Sequence, residues 1–368
     1  MEKIIYLHIG LPKTATSSFQ ATCAKNQDLL RAQGIHYPHF LKPNKKDKHF
    51  DQNTVLLNAF KDNNSSIFSN LLMEIPPNKQ TKDFYLSEID YLLSTNDLIL
   101  FSAENLSIDL NKSEIKKMLS FLSKYGHTIK AFALVRTPYQ FHCSAIAQGI
   151  LMGTYTQPLT RFFTQSDHLE RLITSFSNQL SFFSFNEAKS HDNGLIGFLM
   201  SFCGVTVNNI ETPMVNKGKS NAFIRAQYAM NKIEPSLKGD SINENFRNLQ
   251  IDLGSKKFYL TADEFSEIES QYKQECAKVK HILGRDFISE KVQFSQPINF
   301  EDILQACPEL QSNLISQEDF TELLEIAQSL EEDNLYIAYR LMNIAYKIKP
   351  FDLIDIKIKI YKEKLNNI

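Results

Sequence analysis

The sequence contains no tryptophan and no long run of apolar residues, and it has only 12 glycines and 12 prolines. A membrane-spanning helix needs about 20 consecutive apolar residues, so we expect no transmembrane segment. The apolar run near the N-terminus, residues 4–9, is also too short for the core of a signal peptide. These absences predict a soluble protein located in the cytoplasm.

The five cysteines are scattered, and no pair has C-x-x-C spacing. Their odd number and wide separation argue against a disulfide framework and a zinc site, and we predict no bound metal. The formal net charge of −2 gives no general attraction to nucleic acids or anionic membranes. Any site for an anion must therefore be local.

Short apolar runs alternate with helical patterns through most of the chain. The runs at 3–9, 97–103, 129–135 and 180–185 have the length of buried strands. A helical pattern follows the first run, from 16 to 33. The alternation predicts an α/β domain of three layers, with helices on both faces of a central parallel sheet. Ligands of such sheets bind at the carboxyl ends of the strands, which makes the residues after each run candidates for a site.

Two shorter stretches lie between the first two of these runs. Residues 34–40 could form a further short strand. Residues 42–49 are basic and polar, and we predict that they form a solvated loop. In an alternative interpretation this basic loop meets an acidic acceptor.

The last part of the chain is helical by its pattern. Small residues at Ala338 and Ala345, with Met342 between them, resemble the second helix of a tetratricopeptide repeat (TPR). A single repeat cannot stand alone, so a helical hairpin that packs on the main domain is the alternative. We predict a main domain at 1–295 and a helical, TPR-like extension at 296–368.

The segment between the first strand and the first helix has the strongest functional signal, and it reads HIGLPKTATSS from His8 onward. A strand–loop–helix connection points backbone N–H groups at one spot, where the helix dipole adds partial positive charge. Lys13 supplies a full charge. Four hydroxyl side chains follow: Thr14, Thr16, Ser17 and Ser18. This chemistry predicts a phosphate or sulfate site of the P-loop-like kind, although a Walker A motif would need glycine in place of Ala15 and lysine after it.

PKTATSS after a strand resembles the 5′-phosphosulfate-binding loop of sulfotransferases that use 3′-phosphoadenosine-5′-phosphosulfate (PAPS), whose common form is PK-[ST]-G-T-[ST]. The chain departs from this form at Ala15, where the family usually has glycine. Because alanine does not easily take positive φ, we expect ordinary dihedral angles at this position. The resemblance implies that six loop residues bind the donor: Lys13, Thr14, Ala15, Thr16, Ser17 and Ser18.

A second match follows the run at 129–135, where the chain reads RTPYQFHCS from Arg136 to Ser144. In the family, an arginine at the end of this strand and a serine eight positions later bind the 3′-phosphate of the donor. Pro138 can open a helix, and the planar fork of arginine suits a phosphate. Such a pair recurs by chance, but its position after a buried strand, together with the first loop, makes it specific.

The reaction also needs a general base. In glycan sulfotransferases a glutamate or histidine near the acceptor takes its proton, and Glu104 follows the 97–103 run. We therefore predict Glu104 as the base, with His8 and His142 as other candidates. In the alternative interpretations Glu104 caps a helix or forms an ion pair, and His8 is a buried histidine bonded to backbone.

A weaker signal lies in NKGKSN, residues 216–221. Similar Asn/Ser-rich loops in bacterial members of the family lie near the donor, which implies that Lys217 and Ser220 contact the nucleotide. A surface turn is the alternative. The resemblance as a whole covers about residues 1–290.

The resemblance implies an enzyme that transfers a sulfuryl group from PAPS to a hydroxyl or amine of a glycan or glycolipid, releases PAP and uses no metal. The chain lacks the G-x-x-G-x-x-K signature of cytosolic small-molecule sulfotransferases, which favours the glycan branch and a role in polysaccharide biosynthesis. The C-terminal helices would bind the acceptor or a protein partner. One alternative is a non-catalytic scaffold that binds PAP or an anionic glycan. Another is a kinase-like phosphoryl transferase, which would need magnesium.

Overall fold

The computed structural model describes residues 2–42, 45–50, 52–62, 79–104, 106–153, 155, 157–208, 210–213, 218–233, 256–284, 291–296, 317–348 and 352–366. The chain divides into two compact units. The first comprises residues 1–145, 159–218 and 262–294, and the second comprises residues 146–158, 219–261 and 295–368. The boundary at 295/296 stays a prediction, and residues 297–316 lie outside the described part of the chain.

The first unit is built on a parallel sheet of five described strands: β1 Ile4–Ile9, β2 Ile35–His36, β5 Leu98–Ala103, β6 Thr128–Val135 and β7 Leu180–Ser184. Their order across the sheet is β2-β5-β1-β6-β7. Each neighbouring pair in this sheet is parallel. The predicted α/β class with a central parallel sheet is confirmed.

A separate antiparallel ribbon pairs β3 Phe40–Lys42 with β4 Lys45–Phe50. The loop predicted at 42–49 is therefore wrong, because most of these residues belong to paired strands. A two-stranded ribbon is held by backbone hydrogen bonds, which need no apolar pattern to form. The basic composition of this stretch thus concealed its structure.

The helices are, in chain order, α1 Thr16–Lys25, α2 Gln27–Ala32, α3 Gln52–Phe60, α4 Lys79–Thr95, α5 Leu106–Asp109, α6 Lys112–Leu122, α7 Pro138–Leu151, α8 Ser166–Phe176, α9 Phe185–Lys189, α10 Gly194–Phe202, α11 Asn221–Ile233, α12 Ala262–Leu283, α13 Gln317–Ser329, α14 Leu335–Ile348 and α15 Asp352–Asn366. Of the helices in the described ranges, none has both the length and the apolar character to cross a bilayer.

Strand β1 contributes to two hydrophobic cores, because successive side chains of a strand point to opposite faces of the sheet. Ile5 and Leu7 belong to a core that also includes residues of α3, α4, α6, α8 and α12. Ile4 and Tyr6 belong to a second core with Phe19 of α1 and with residues of α2 and α10. Helices therefore cover both faces of the sheet, which confirms the predicted three layers.

The carboxyl ends of β5, β1 and β6 lie at the same edge of the sheet. In the register of these strands, His8 is opposite Ser102 on one side and Phe132 on the other. The residues that follow the three strands are the loop from Gly10, Glu104 and Arg136. The residues predicted for the site from the sequence therefore follow strands that end at this edge.

The C-terminal helices α13, α14 and α15 pack around a small core of their own: Leu323, Ala327, Ala338, Met342, Ala345, Ile354 and Tyr361. The two small residues on α14, Ala338 and Ala345, are fully buried, so the helices can approach closely there. The helical character predicted for this region is confirmed. Its resemblance to a tetratricopeptide repeat stays a prediction.

Candidate active site

The loop after β1 turns through two residues in the left-handed region, Lys13 with φ of 69° and Ala15 with φ of 65°. The expectation of ordinary dihedral angles at Ala15 is therefore wrong. Ala15 directly precedes α1, and its carbonyl accepts the hydrogen bond from Phe19 N–H (3.1 Å), so helix formation begins at this turn. A left-handed alanine costs about 1 kcal/mol. In return, the turn can point successive N–H groups toward one concave side, as in known anion sites.

Contacts within the loop hold this conformation. The Thr14 hydroxyl donates to the Leu11 carbonyl (2.6 Å), and Gly10 N–H donates to the Ala103 carbonyl at the end of β5 (2.9 Å). Gly10 lies so close to the Thr16 side chain that an added Cβ would overlap it. The glycine therefore lets α1 begin directly against the end of β1.

The four predicted hydroxyl donors have different surroundings. The Thr14 hydroxyl is engaged within the loop, while the buried Thr16 hydroxyl has no hydrogen-bond partner among the described residues. Ser17 is exposed and Ser18 is half-buried. Thr16, Ser17 and Ser18 thus keep the donor-binding role as a prediction, and for Thr14 the role would fall to its backbone N–H.

Three predicted site residues share one electrostatic cluster. Burial lowers the pKa of Lys13, the positive charge of Arg136 lowers it further, and the charge of Glu104 opposes this shift. Burial raises the pKa of Glu104, and the charge of Lys13 opposes that rise. The side chain of Lys13 therefore lies close enough to both Arg136 and Glu104 for their charges to affect its ionisation.

Arg136 is held from two sides. Its guanidinium carbon lies 4.0 Å from the centre of the Phe185 ring, and its carbonyl accepts a hydrogen bond from Gln165 Nε2 (2.7 Å). A contact of this kind between a guanidinium group and an aromatic ring restrains the position of the charge. Phe185 follows β7. In the sequence it is the last residue of the apolar run at 180–185, and no pattern there indicated its contact with Arg136.

Ser144 lies half-buried on α7, the helix that begins at Pro138. Ser144 is six residues after Pro138, which corresponds to about 9 Å along the helix axis. Arg136 and Ser144 belong to the same unit. Their joint role in binding a 3′-phosphate stays a prediction.

His8 is fully buried between the rings of Phe19 and Phe132, at centroid distances of 4.8 Å and 5.1 Å. Its Nδ1 lies 2.8 Å from Ser102 Oγ, and Nε2 has no hydrogen-bond partner among the described residues. Burial lowers the pKa of His8 to about 3, so the ring is neutral at physiological pH. His8 thus has no exposed surface in this structure, and its catalytic role stays a prediction.

His142, the other candidate base, is also fully buried. Phe163 N–H donates to its Nδ1 (3.1 Å), and the ring stacks on Phe162 at a centroid distance of 4.6 Å. Burial lowers the pKa of His142 to about 4. With Nδ1 engaged as an acceptor, the neutral ring carries its proton on Nε2, which disfavours His142 as the base.

The structure does not test the two weakest candidates, Lys217 and Ser220. Lys217 is not among the described residues. Ser220 belongs to the second unit, where its Oγ accepts the hydrogen bond of Phe223 N–H (3.2 Å) and so caps α11. Contacts of both residues with the nucleotide stay predictions.

Within the described ranges, no group of three or more His, Cys, Asp or Glu side chains could hold a metal ion. The expectation of metal-free chemistry nevertheless stays a prediction. Activity in the presence of a chelator tests it.

Comparison with protein-family models gives no match, and comparison with curated proteins gives none either. Among solved structures, the crystal structure of a sulfotransferase from Alicyclobacillus acidocaldarius aligns with 78% of this chain and 98% of that chain. The TM-score is 0.40 and the sequence identity is 10%. Similarity at this level supports no inference about activity, which must come from the residues of the site.

Proposed function

We propose that this chain is a sulfotransferase that moves a sulfuryl group from PAPS to a hydroxyl or amine of a glycan. The observation that carries the proposal is the cluster of Lys13, Arg136 and Glu104 beyond three neighbouring strands. Two cations and one carboxylate have a net positive charge, and partly buried cations that repel one another are stabilised by an anion between them. The cluster is therefore suited to an anionic ligand.

The donor has anionic groups at two ends, a 5′-phosphosulfate and a 3′-phosphate. In our proposal the loop N–H groups and Lys13 bind the first, and Arg136 with Ser144 binds the second. The arginine fork matches two phosphate oxygens at once. The contact with the Phe185 ring supports this assignment, because it restrains the position of the guanidinium group.

PAPS supplies a sulfuryl group already activated by its bond to a phosphate oxygen. As the acceptor oxygen or nitrogen attacks sulfur, its proton passes to Glu104, and the bond from sulfur to the 5′-phosphate oxygen breaks. Charge grows on that phosphate oxygen, where Lys13 and the loop N–H groups stabilise it. Burial raises the pKa of Glu104, which makes the carboxylate a better proton acceptor.

The choice of a glycan acceptor rests on the family resemblance in the sequence and on the missing small-molecule signature. We propose a polysaccharide or glycolipid precursor as the acceptor. In the same proposal, the helices α13 to α15 bind the acceptor or a protein partner of glycan assembly.

Radiolabelled PAPS, unsulfated oligosaccharides and an excess of EDTA test this function together. We expect labelled oligosaccharide and released PAP in equal amounts, and product formation that is about 10² to 10⁴-fold slower with Glu104→Gln. PAP binding without transfer to any acceptor would favour the scaffold alternative. Activity lost with EDTA and restored by magnesium would favour phosphoryl-transfer chemistry instead.

A further inference from the structure

Ser102 lies two residues before Glu104, at a point where β5 has a strand on one side only. The N–H and C=O of one strand residue point to the same side. Ala103 faces β1, since its carbonyl accepts from Gly10 N–H (2.9 Å). The neighbour on the other side is β2, which pairs only with Leu98 and Ile99. Among the described strands, none therefore reaches the backbone of Ser102 on that side.

Two glutamine side chains take the place of the missing strand. Gln52 Oε1 accepts from Ser102 N–H (2.7 Å), and Gln20 Nε2 donates to the Ser102 carbonyl (2.8 Å). Gln52 is itself buried and fixed, because its Nε2 donates to the Pro38 carbonyl (2.9 Å). With the Oγ contact to His8, side chains from α1, α3 and β1 hold every polar group of Ser102.

The arrangement links the two sides of the candidate site. Gln20 lies one turn after Thr16, on the helix that begins at the loop containing Lys13. Its amide reaches the strand end that leads to Glu104. The hydrogen bond from Gln20 to Ser102 thus joins the helix that follows the loop to the strand that precedes Glu104, and the distance between the loop and the carboxylate depends on it. A displacement of about 1 Å at a reacting centre can lower the rate 10²-fold.

We propose that Gln20 and Gln52 are positioning residues, which hold the end of β5 so that Glu104 meets the acceptor at a fixed distance from the loop. The catalytic part of this proposal rests on the proposed function, in which Glu104 is the base. The structural part, that the two amides fix the surroundings of the carboxylate, stands apart from the reaction.

The test uses Gln20→Met and Gln52→Met, which keep the length of each side chain and remove its amide. We expect kcat with PAPS and an oligosaccharide acceptor to fall by about 10-fold to 100-fold in each variant. The Kd for PAP should stay near the wild-type value, since neither amide belongs to the loop. Gln20 is half-buried, so its variant should fold even if the Gln52 variant does not, and melting curves check this.

Gln33 offers a matched control. Its Oε1 accepts from Thr206 N–H (2.7 Å) and its Nε2 donates to the Thr206 carbonyl (3.3 Å), which is the same two-bond contact with a backbone. It lies just before β2, toward the amino ends of the strands. We expect Gln33→Met to leave kcat unchanged.

A second readout needs no reaction. The pKa of Glu104 can be followed by NMR of protein with labelled glutamate carboxyls, with Glu104→Gln to assign the signal. Because burial raises this pKa, a loosened strand end that admits water should lower it toward the ordinary value in Gln20→Met. It should not change in Gln33→Met.

An unchanged kcat and an unchanged Glu104 pKa in both folded variants would overturn the proposal. So would a lower kcat without a pKa change, since that result indicates a general structural role. If the wild-type protein transfers no sulfuryl group but the Glu104 pKa moves only in the Gln20 and Gln52 variants, the positioning role stands and the proposed function fails.

Discussion

Glu104, which follows β5, and Glu331, which lies in the turn between α13 and α14, are two carboxylates with opposite pKa shifts. Burial raises the pKa of Glu104, and the charge of Lys13 only opposes this rise. The pKa of Glu331 is lowered to about 2 by direct hydrogen bonds. Its three donors lie at 2.7 to 2.9 Å: Lys357, Lys364 and Tyr361. Glu104 is partly buried near the charge of Lys13, whereas both carboxylate oxygens of Glu331 accept hydrogen bonds.

The two shifts affect stability in opposite ways. A lowered pKa means that ionised Glu331 favours the folded state, and this contribution is lost as pH falls through its folded pKa of about 2. A raised pKa means that Glu104 favours the folded state when protonated, and this contribution is lost as pH rises through its folded pKa. Glu331 therefore contributes to stability when it is ionised, whereas the raised pKa of Glu104 is consistent with the base role that we propose for it.

The largest effect should come from Glu104→Gln. We expect kcat to fall by about 10² to 10⁴-fold, the usual contribution of a general base. The melting temperature at neutral pH should stay the same or rise, because the variant removes a desolvated charge. Transfer assays and melting curves on the same preparation check both, and a wild-type rate would exclude Glu104 as the base.

A second change, Lys13→Ala, removes the cation whose charge opposes the rise in the pKa of Glu104. Transfer should slow by about 10²-fold, as for loss of one charge-stabilising donor, with a much smaller effect on donor binding. The pKa of Glu104 should rise further, so the acid limb of the kcat profile moves to higher pH. Unchanged turnover would contradict the role of Lys13.

Gly10→Ala tests the close contact beneath the loop. The added methyl group would overlap the Thr16 side chain, and overpacking of this kind costs about 1–3 kcal/mol. We expect a lower melting temperature and weaker PAP binding by calorimetry. Gly126→Ala is the control for backbone strain without overlap, since its φ is positive and a Cβ there meets no described atom within 4 Å. It should also lower the melting temperature, but it should leave PAP binding unchanged.

The smallest effect should come from Glu331→Gln in the C-terminal helices. The cluster is partly open to solvent, so we expect a loss of about 1 kcal/mol in unfolding free energy at neutral pH. The difference from wild type should disappear as pH falls toward the pKa of about 2. PAP binding and transfer should not change, and a loss of either would mean that the two carboxylates are not independent.

The three central strands of the sheet, β1, β5 and β6, could be predicted because they are largely buried and read as continuous apolar runs, as at 129–135. The ribbon of β3 and β4 could not, because its residues are basic and its pairing is made by backbone. The helical C-terminal region was visible in its small and bulky residues, such as Ala338 and Met342.

Within the candidate site, local motifs pointed to Lys13 and Arg136. The contacts of Gln20 and Gln52 with Ser102 span 82 and 50 positions, so no local pattern could reveal them. The left-handed conformation of Ala15 could not be predicted from the preference of alanine for negative φ, because the turn into α1 overrides that preference.

The most direct test of the account is calorimetry with PAP and with AMP, which lacks the 3′-phosphate, on wild type and Arg136→Ala. If the loop and Arg136 bind opposite ends of one nucleotide, PAP binds the wild-type protein, and the variant loses about 10-fold to 100-fold in PAP affinity. The same variant should bind AMP almost as the wild type does. Equal losses for both nucleotides, or no binding of PAP to the wild-type protein, would contradict the account.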